Sequence, residues 1–80
     1  MNINEATKLR ITQLCTVRKL SRNKLATLCG IPQTTLSNIV NRENNNTTIQ
    51  TIKKICDGLE ITLKEFFDSE IFDDLEQEIK

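Results

Sequence analysis

The sequence predicts an all-α fold: a compact domain of five short helices, with tail spacing compatible with a short sixth. Three observations predict it. Apolar residues recur at helical spacing nearly throughout, and no stretch alternates as a strand would. Helix-capping residues punctuate the chain at short intervals. The 80 residues are 38% apolar and 28% charged, with one Pro and two Gly, which fits one ordered domain rather than a disordered or collagen-like chain.

The first helix is expected from about Asn4 to Lys19, with Ala6, Leu9, Leu14 and Val17 as its apolar stripe and Ile11 beside them. Ser21 has the character of an N-cap for a second helix, Arg22 to Cys29, with Leu25, Ala26 and Leu28 inward. Gly30 stands where a helix C-terminus favours positive φ. Ile31 and Pro32 then start a third helix, since Pro in a first turn sacrifices no needed N–H. Leu36 and Ile39 face inward from it, leaving a polar, uncharged outer face.

Residues 41–47 read as an asparagine-rich loop. Thr48 caps a fourth helix carrying Ile49, Ile52, Ile55, Cys56 and Leu59, with Gly58 near its end. Thr62 with Glu65 forms a capping box that opens a fifth helix bearing Leu63, Phe66 and Phe67. The expected division is a helix-turn-helix domain over 1–68 and an acidic amphipathic tail over 69–80. In that tail Ile71, Phe72, Leu75 and Ile79 either cap the domain's own core, form a dimer interface, or bind a partner protein.

Several function classes lose support. Cys15, Cys29 and Cys56 are 14 and 27 residues apart, with no CxxC and no His, so zinc-finger spacing is absent and a thiol nucleophile lacks its usual base. They read as small core residues of a reducing compartment. No nucleophile–base pair and no phosphate-cradling glycine loop occur, so no enzyme, cofactor or metal is expected. No signal sequence or membrane span is expected either, which points to the cytoplasm.

The informative segment is Leu20 to Val40: two short helices around a turn at Gly30, the arrangement of a helix-turn-helix. Ala26 is small where two helices approach closely. Gln33, Thr34 and Asn38 are set to reach base edges. Gln and Asn offer a donor and an acceptor together, matching the N6/N7 edge of adenine, and Thr offers a hydroxyl or a methyl.

These residues, in this order, resemble the small prokaryotic helix-turn-helix DNA-binding proteins of the phage repressor/Cro (XRE-like) family. The resemblance spans roughly Leu9 to Asp68. It rests on Leu20-Ser21-Arg22-Asn23-Lys24-Leu25-Ala26, the turn Cys29-Gly30-Ile31-Pro32, and Gln33-Thr34-Thr35-Leu36-Ser37-Asn38-Ile39. Thr48 to Cys56 and Leu59 to Phe67 match its last two helices. The family implies a repressor-like regulator that reads double-stranded DNA, bound as a homodimer to a palindromic operator. It implies base contacts from Gln33, Thr34, Ser37 and Asn38, and phosphate contacts from Arg22, Asn23, Asn41, Arg42 and Asn44. An antitoxin-like or anti-regulator interaction module on the same fold is the alternative.

Two departures stand out. Where relatives pair an Arg of helix 1 with a Glu ending the recognition helix, this chain has Cys15 and Val40. The loop after Val40 is asparagine-rich where relatives often carry Gly, Lys or Arg.

The overall charge is zero, with 11 basic and 11 acidic residues, but it is unevenly placed. Residues 1–54 carry nine basic against two acidic side chains, and residues 55–80 the reverse. The half holding the helix-turn-helix is therefore the one suited to phosphate, and the acidic half should point away from it.

Overall fold

The computed structural model describes residues 1–41 and 47–79. Its helices are α1 (Ile3–Arg18), α2 (Arg22–Cys29), α3 (Gln33–Asn41), α4 (Ile49–Leu59) and α5 (Leu63–Phe67), followed by a 3₁₀ turn, Glu70–Phe72. No strand occurs among the described residues.

Local chemistry starts each helix. Asn2, Ser21, Thr48 and Thr62 are extended N-caps whose side chains accept from the backbone N–H three residues on. At Thr62 the capping box is complete, because the Glu65 carboxylate accepts in return from the Thr62 N–H at 3.0 Å. Pro32 precedes α3 instead of forming its first residue; its carbonyl accepts from the Leu36 N–H at 3.2 Å.

The stops of α1, α2 and α4 share one construction. Each ends in a left-handed residue, Lys19 (φ 57°), Gly30 (φ 67°) or Glu60 (φ 58°). The N–H of the next residue, Leu20, Ile31 or Ile61, returns to the carbonyl of Cys15, Ala26 or Cys56, at 2.9, 3.1 and 2.9 Å. The apolar side chain of that next residue then packs on the core, as the Schellman motif commonly arranges. Only one of the three uses glycine. Glu60→Gly is therefore expected to raise stability by about 0.5–1 kcal/mol, the left-handed strain relieved less the chain entropy glycine adds; a shift of the urea midpoint would report it.

Every helix contributes to one core: Ile11, Leu25, Leu36, Ile55 with Leu59, and Phe66 are all fully buried. α2 packs chiefly on α4 and α3, and α1 on α3 and the 3₁₀ turn. At the α2–α4 crossing Gly58 lies against Cys29: a Cβ there would come within 2.6 Å of the Cys29 Sγ. Ala26 is buried as expected, and Gly58 is a further close approach.

Several inward assignments need correction. Leu9, Val17, Leu28 and Ile49 are exposed. On α1 the buried face runs through Thr7, Ile11, Leu14 and Cys15, the i, i+4, i+7, i+8 spacing of one side. Leu9, two residues beyond Thr7, falls on the opposite side. Thr7 is tolerated inside because its hydroxyl donates to the Ile3 carbonyl at 2.8 Å. On α2 the third inward position belongs to Cys29, and Ile31 beyond the turn joins the core as well.

The tail does not form a sixth α-helix. Beyond the 3₁₀ turn the described residues carry no further helix. Ser69 is extended, and its hydroxyl accepts from the Ile71 N–H at 3.3 Å. Glu70, Asp73, Asp74 and Glu78 would stack like charges at helical i, i+3 and i, i+4 spacing, which opposes continuation. Phe72 instead turns back on the core and completes an aromatic cluster, 5.0 Å from Phe67 and 6.3 Å from Phe66 between ring centroids. The Glu76 N–H donates to the Met1 carbonyl at 3.1 Å, tying the tail to the start of the chain.

Candidate nucleic-acid interface

α3 divides cleanly. Leu36 and Ile39 are buried and fix the helix to the core. Gln33, Thr34, Ser37 and Asn38, at i, i+1, i+4 and i+5, share the opposite side. Gln33 and Thr34 are exposed at the first turn, and Ser37 and Asn38 are half-buried farther along. Asn41, exposed at the last residue of α3, lies on the same side by helical spacing. The four residues expected to meet bases are thus brought together on one short, anchored helix.

The arrangement holds because α2 is fixed on both sides. Its Ser21 cap accepts from the Lys24 N–H at 3.1 Å, and Gly30 turns the chain through a conformation for which only backbone freedom is required, since a Cβ there would meet nothing within 4 Å. Neither α2 nor α3 carries an acidic residue in its first turn, so nothing there opposes an approaching phosphate.

Of the residues expected to meet phosphate, Arg22 and Asn41 are joined: the Arg22 Nη1 donates to the Asn41 Oδ1 at 3.0 Å. That bond links the start of α2 to the end of α3, across 19 residues. Asn23 is exposed on the first turn of α2, and its carbonyl accepts from the Thr27 hydroxyl at 3.0 Å. Arg42 and Asn44 lie outside the described residues.

Cys15 and Val40 both line one cavity. All three cysteines are free and buried. Burial pushes the Cys15 and Cys56 thiols up and the Cys29 thiol up to about 11, so all are protonated and unreactive at neutral pH. Among the described residues no cluster of His, Cys, Asp or Glu could hold a metal ion.

Two features were missed from the sequence. Lys19, read as the last residue of α1, is its left-handed cap and lines the same cavity as Arg22; the Lys-Leu-Ser run, an apolar residue then an N-cap, was the available signal. Arg10 holds the far end of the fold: its Nε donates to the Phe66 carbonyl at 2.6 Å and its Nη2 to the Glu65 carbonyl at 2.9 Å. This contact spans more than fifty residues of chain, and no local pattern announces it.

Of the tail residues, Ile71, Phe72 and Leu75 are half-buried, and Ile79 is 88% exposed. Phe72 packs on the core of its own chain. No described helix is long and apolar enough to cross a membrane.

Residues 10–70 match the family model of the Cro/C1-type HTH DNA-binding domain. The fold is similar to that in the crystal structure of the prophage Lp1 protein 11, at 30% sequence identity and a TM-score of 0.80, covering 94% of this chain and 100% of that one. No curated protein sequence matches this chain.

Proposed function

Because the chain belongs to the Cro/C1-type helix-turn-helix DNA-binding domains, we propose that it is a sequence-specific transcriptional regulator, a repressor, that reads the major groove of double-stranded DNA with α3. The observation that carries the reading is the face formed by Gln33, Thr34, Ser37 and Asn38 on a helix anchored by Leu36 and Ile39. Gln33 and Thr34, at the exposed N-terminal turn, sit where a recognition helix contacts base edges. Arg22 and Asn41 flank them as a pair, with Asn23 beside Arg22, and serve the phosphates that position the helix.

The regulator works without cofactor or catalytic chemistry, in the cytoplasm, as a homodimer on a palindromic operator. Two copies then present α3 to half-sites about 34 Å apart. Selection from random duplex DNA tests this directly, with an enriched palindromic motif as the expected result. A protein that enriches no motif would be an interaction module on the same fold.

On the selected duplex, Gln33→Ala is expected to lose about 1–3 kcal/mol of binding free energy, the size of one good base contact. Arg22→Ala should weaken all sequences alike and flatten the salt dependence by about one unit of slope. Fluorescence titration at several salt concentrations separates the two, and an unchanged specific affinity in Gln33→Ala would refute the readout.

A further inference from the structure

The cavity that Cys15 and Val40 line has a volume of about 330 Å³ and opens to solvent between the end of α1, the start of α2 and the end of α3. Its apolar walls are Ile11, Cys15, Leu20 and Val40, two of them short side chains that leave the space unfilled. Its cations are Lys19 and Arg22, and no acidic residue lines it among the described residues. The Arg22–Asn41 hydrogen bond holds the guanidinium at the rim, while Lys19 is exposed beside it. That hydrogen bond uses one of the five N–H donors of the guanidinium.

The volume lies at the small end of ligand pockets, enough for one ring or a short chain. Thr12, Thr16 and Ser21 complete the lining with hydroxyls. A largely apolar interior beside two cations suits a compact hydrophobic body ending in a carboxylate, which a guanidinium grips through paired hydrogen bonds and hydroxyls can further serve.

We propose that this cavity binds a small monocarboxylate with an apolar body, its carboxylate between Lys19 and Arg22 and its body against Ile11, Cys15, Leu20 and Val40. Occupation engages Arg22 and withdraws it from DNA phosphate, so the ligand loosens DNA binding. This last step rests on the DNA reading above; the binding site does not.

The test uses the full chain, ¹⁵N-labelled, titrated with benzoate at constant ionic strength. Saturable amide shifts at Ile11, Cys15, Leu20 and Val40 are expected, with a dissociation constant of about 1 mM or tighter. Benzyl alcohol, which keeps the ring without the charge, and acetate, which keeps the charge without the ring, should each bind roughly tenfold more weakly. Val40→Phe, which narrows the cavity at its apolar wall, should weaken benzoate severalfold. Arg22→Gln, on an exposed residue, should weaken benzoate and leave benzyl alcohol unchanged. Linear shifts without saturation, or acetate equal to benzoate, would overturn the site. Benzoate that binds yet leaves the affinity for a selected duplex unchanged would overturn the coupling to DNA. Benzoate binding by a protein that binds no DNA would count against the regulator and leave the site standing.

Discussion

Phe66→Ala is expected to cost about 3–5 kcal/mol of folding free energy, the range for emptying a buried aromatic site. A domain of this length has a total stability on the order of 4–12 kcal/mol, so much of it would be lost. The reason is how much hangs on this one ring. Phe66 is the largest of the fully buried side chains, yet it belongs to a helix of five residues. A helix that short has no stability of its own in water and persists only by its packing. Phe67 meets the ring edge-on at 4.9 Å between centroids, and Phe72 completes the cluster. The Phe66 carbonyl also receives the Arg10 side chain. Loss of the ring should therefore undock α5 and the 3₁₀ turn together. Urea unfolding measures the cost, and Phe66→Leu should recover most of it. A cost below about 1 kcal/mol for Phe66→Ala would mean that α5 is not part of the cooperative core.

The second large effect has a sign opposite to the one helix propensity gives. Gly58 lies inside α4, where alanine ordinarily gains about 1 kcal/mol over glycine. Here Gly58→Ala is expected to destabilise by about 1–3 kcal/mol, the usual cost of overpacking. The added methyl would stand 2.6 Å from the Cys29 Sγ, 2.9 Å from the Cys29 Cα and 2.9 Å from the Leu28 carbonyl oxygen. Two of those atoms are backbone and cannot rotate away. The strain must push α2 off α4, and α2 is what α3 rests on. Cys29→Ala in the same background should return only part of the loss, because it removes the sulfur and leaves the backbone contacts. Thermal unfolding of the single and double variants reads both effects. A higher melting temperature in Gly58→Ala would show that the helices do not cross this closely.

These two sites mark where sequence reading stops. Ser21, Thr48 and the Thr62–Glu65 pair were legible as helix starts because a cap acts within three residues of itself. Gly30 was legible as a stop because glycine advertises the left-handed conformation. Lys19 and Glu60 adopt the same conformation without glycine, so nothing in the residue type announces it; their cost is met by the hydrogen bonds and apolar contacts of Leu20 and Ile61, which local propensity does not include. The role of Gly58 depends on a helix almost thirty residues earlier, and the Arg10 clamp on one more than fifty residues later. Leu9, Val17, Leu28 and Ile49 were misjudged for a related reason: a short helix with apolar residues on several sides has more than one plausible inward face, and only its neighbours decide between them.

The candidate site was easier to read than the core beneath it. Gln33, Thr34, Ser37 and Asn38 share a face by helical spacing alone, and spacing is local. What spacing did not supply was the Arg22–Asn41 link, which joins residues of two helices, or the cavity that opens beside it.

The division of α3 also bears on how such a protein diverges. Leu36 and Ile39 carry the packing, while Gln33 and Thr34 are exposed. Exchanges at exposed positions of this kind typically change stability by no more than about 0.5 kcal/mol. The outer face of the helix can therefore be rewritten one residue at a time while the chain continues to fold. The backbone-sealed end of α2 favours the same outcome: the Ile31 N–H bond to the Ala26 carbonyl sets how the chain enters α3 through a main-chain bond that survives most changes of side chain.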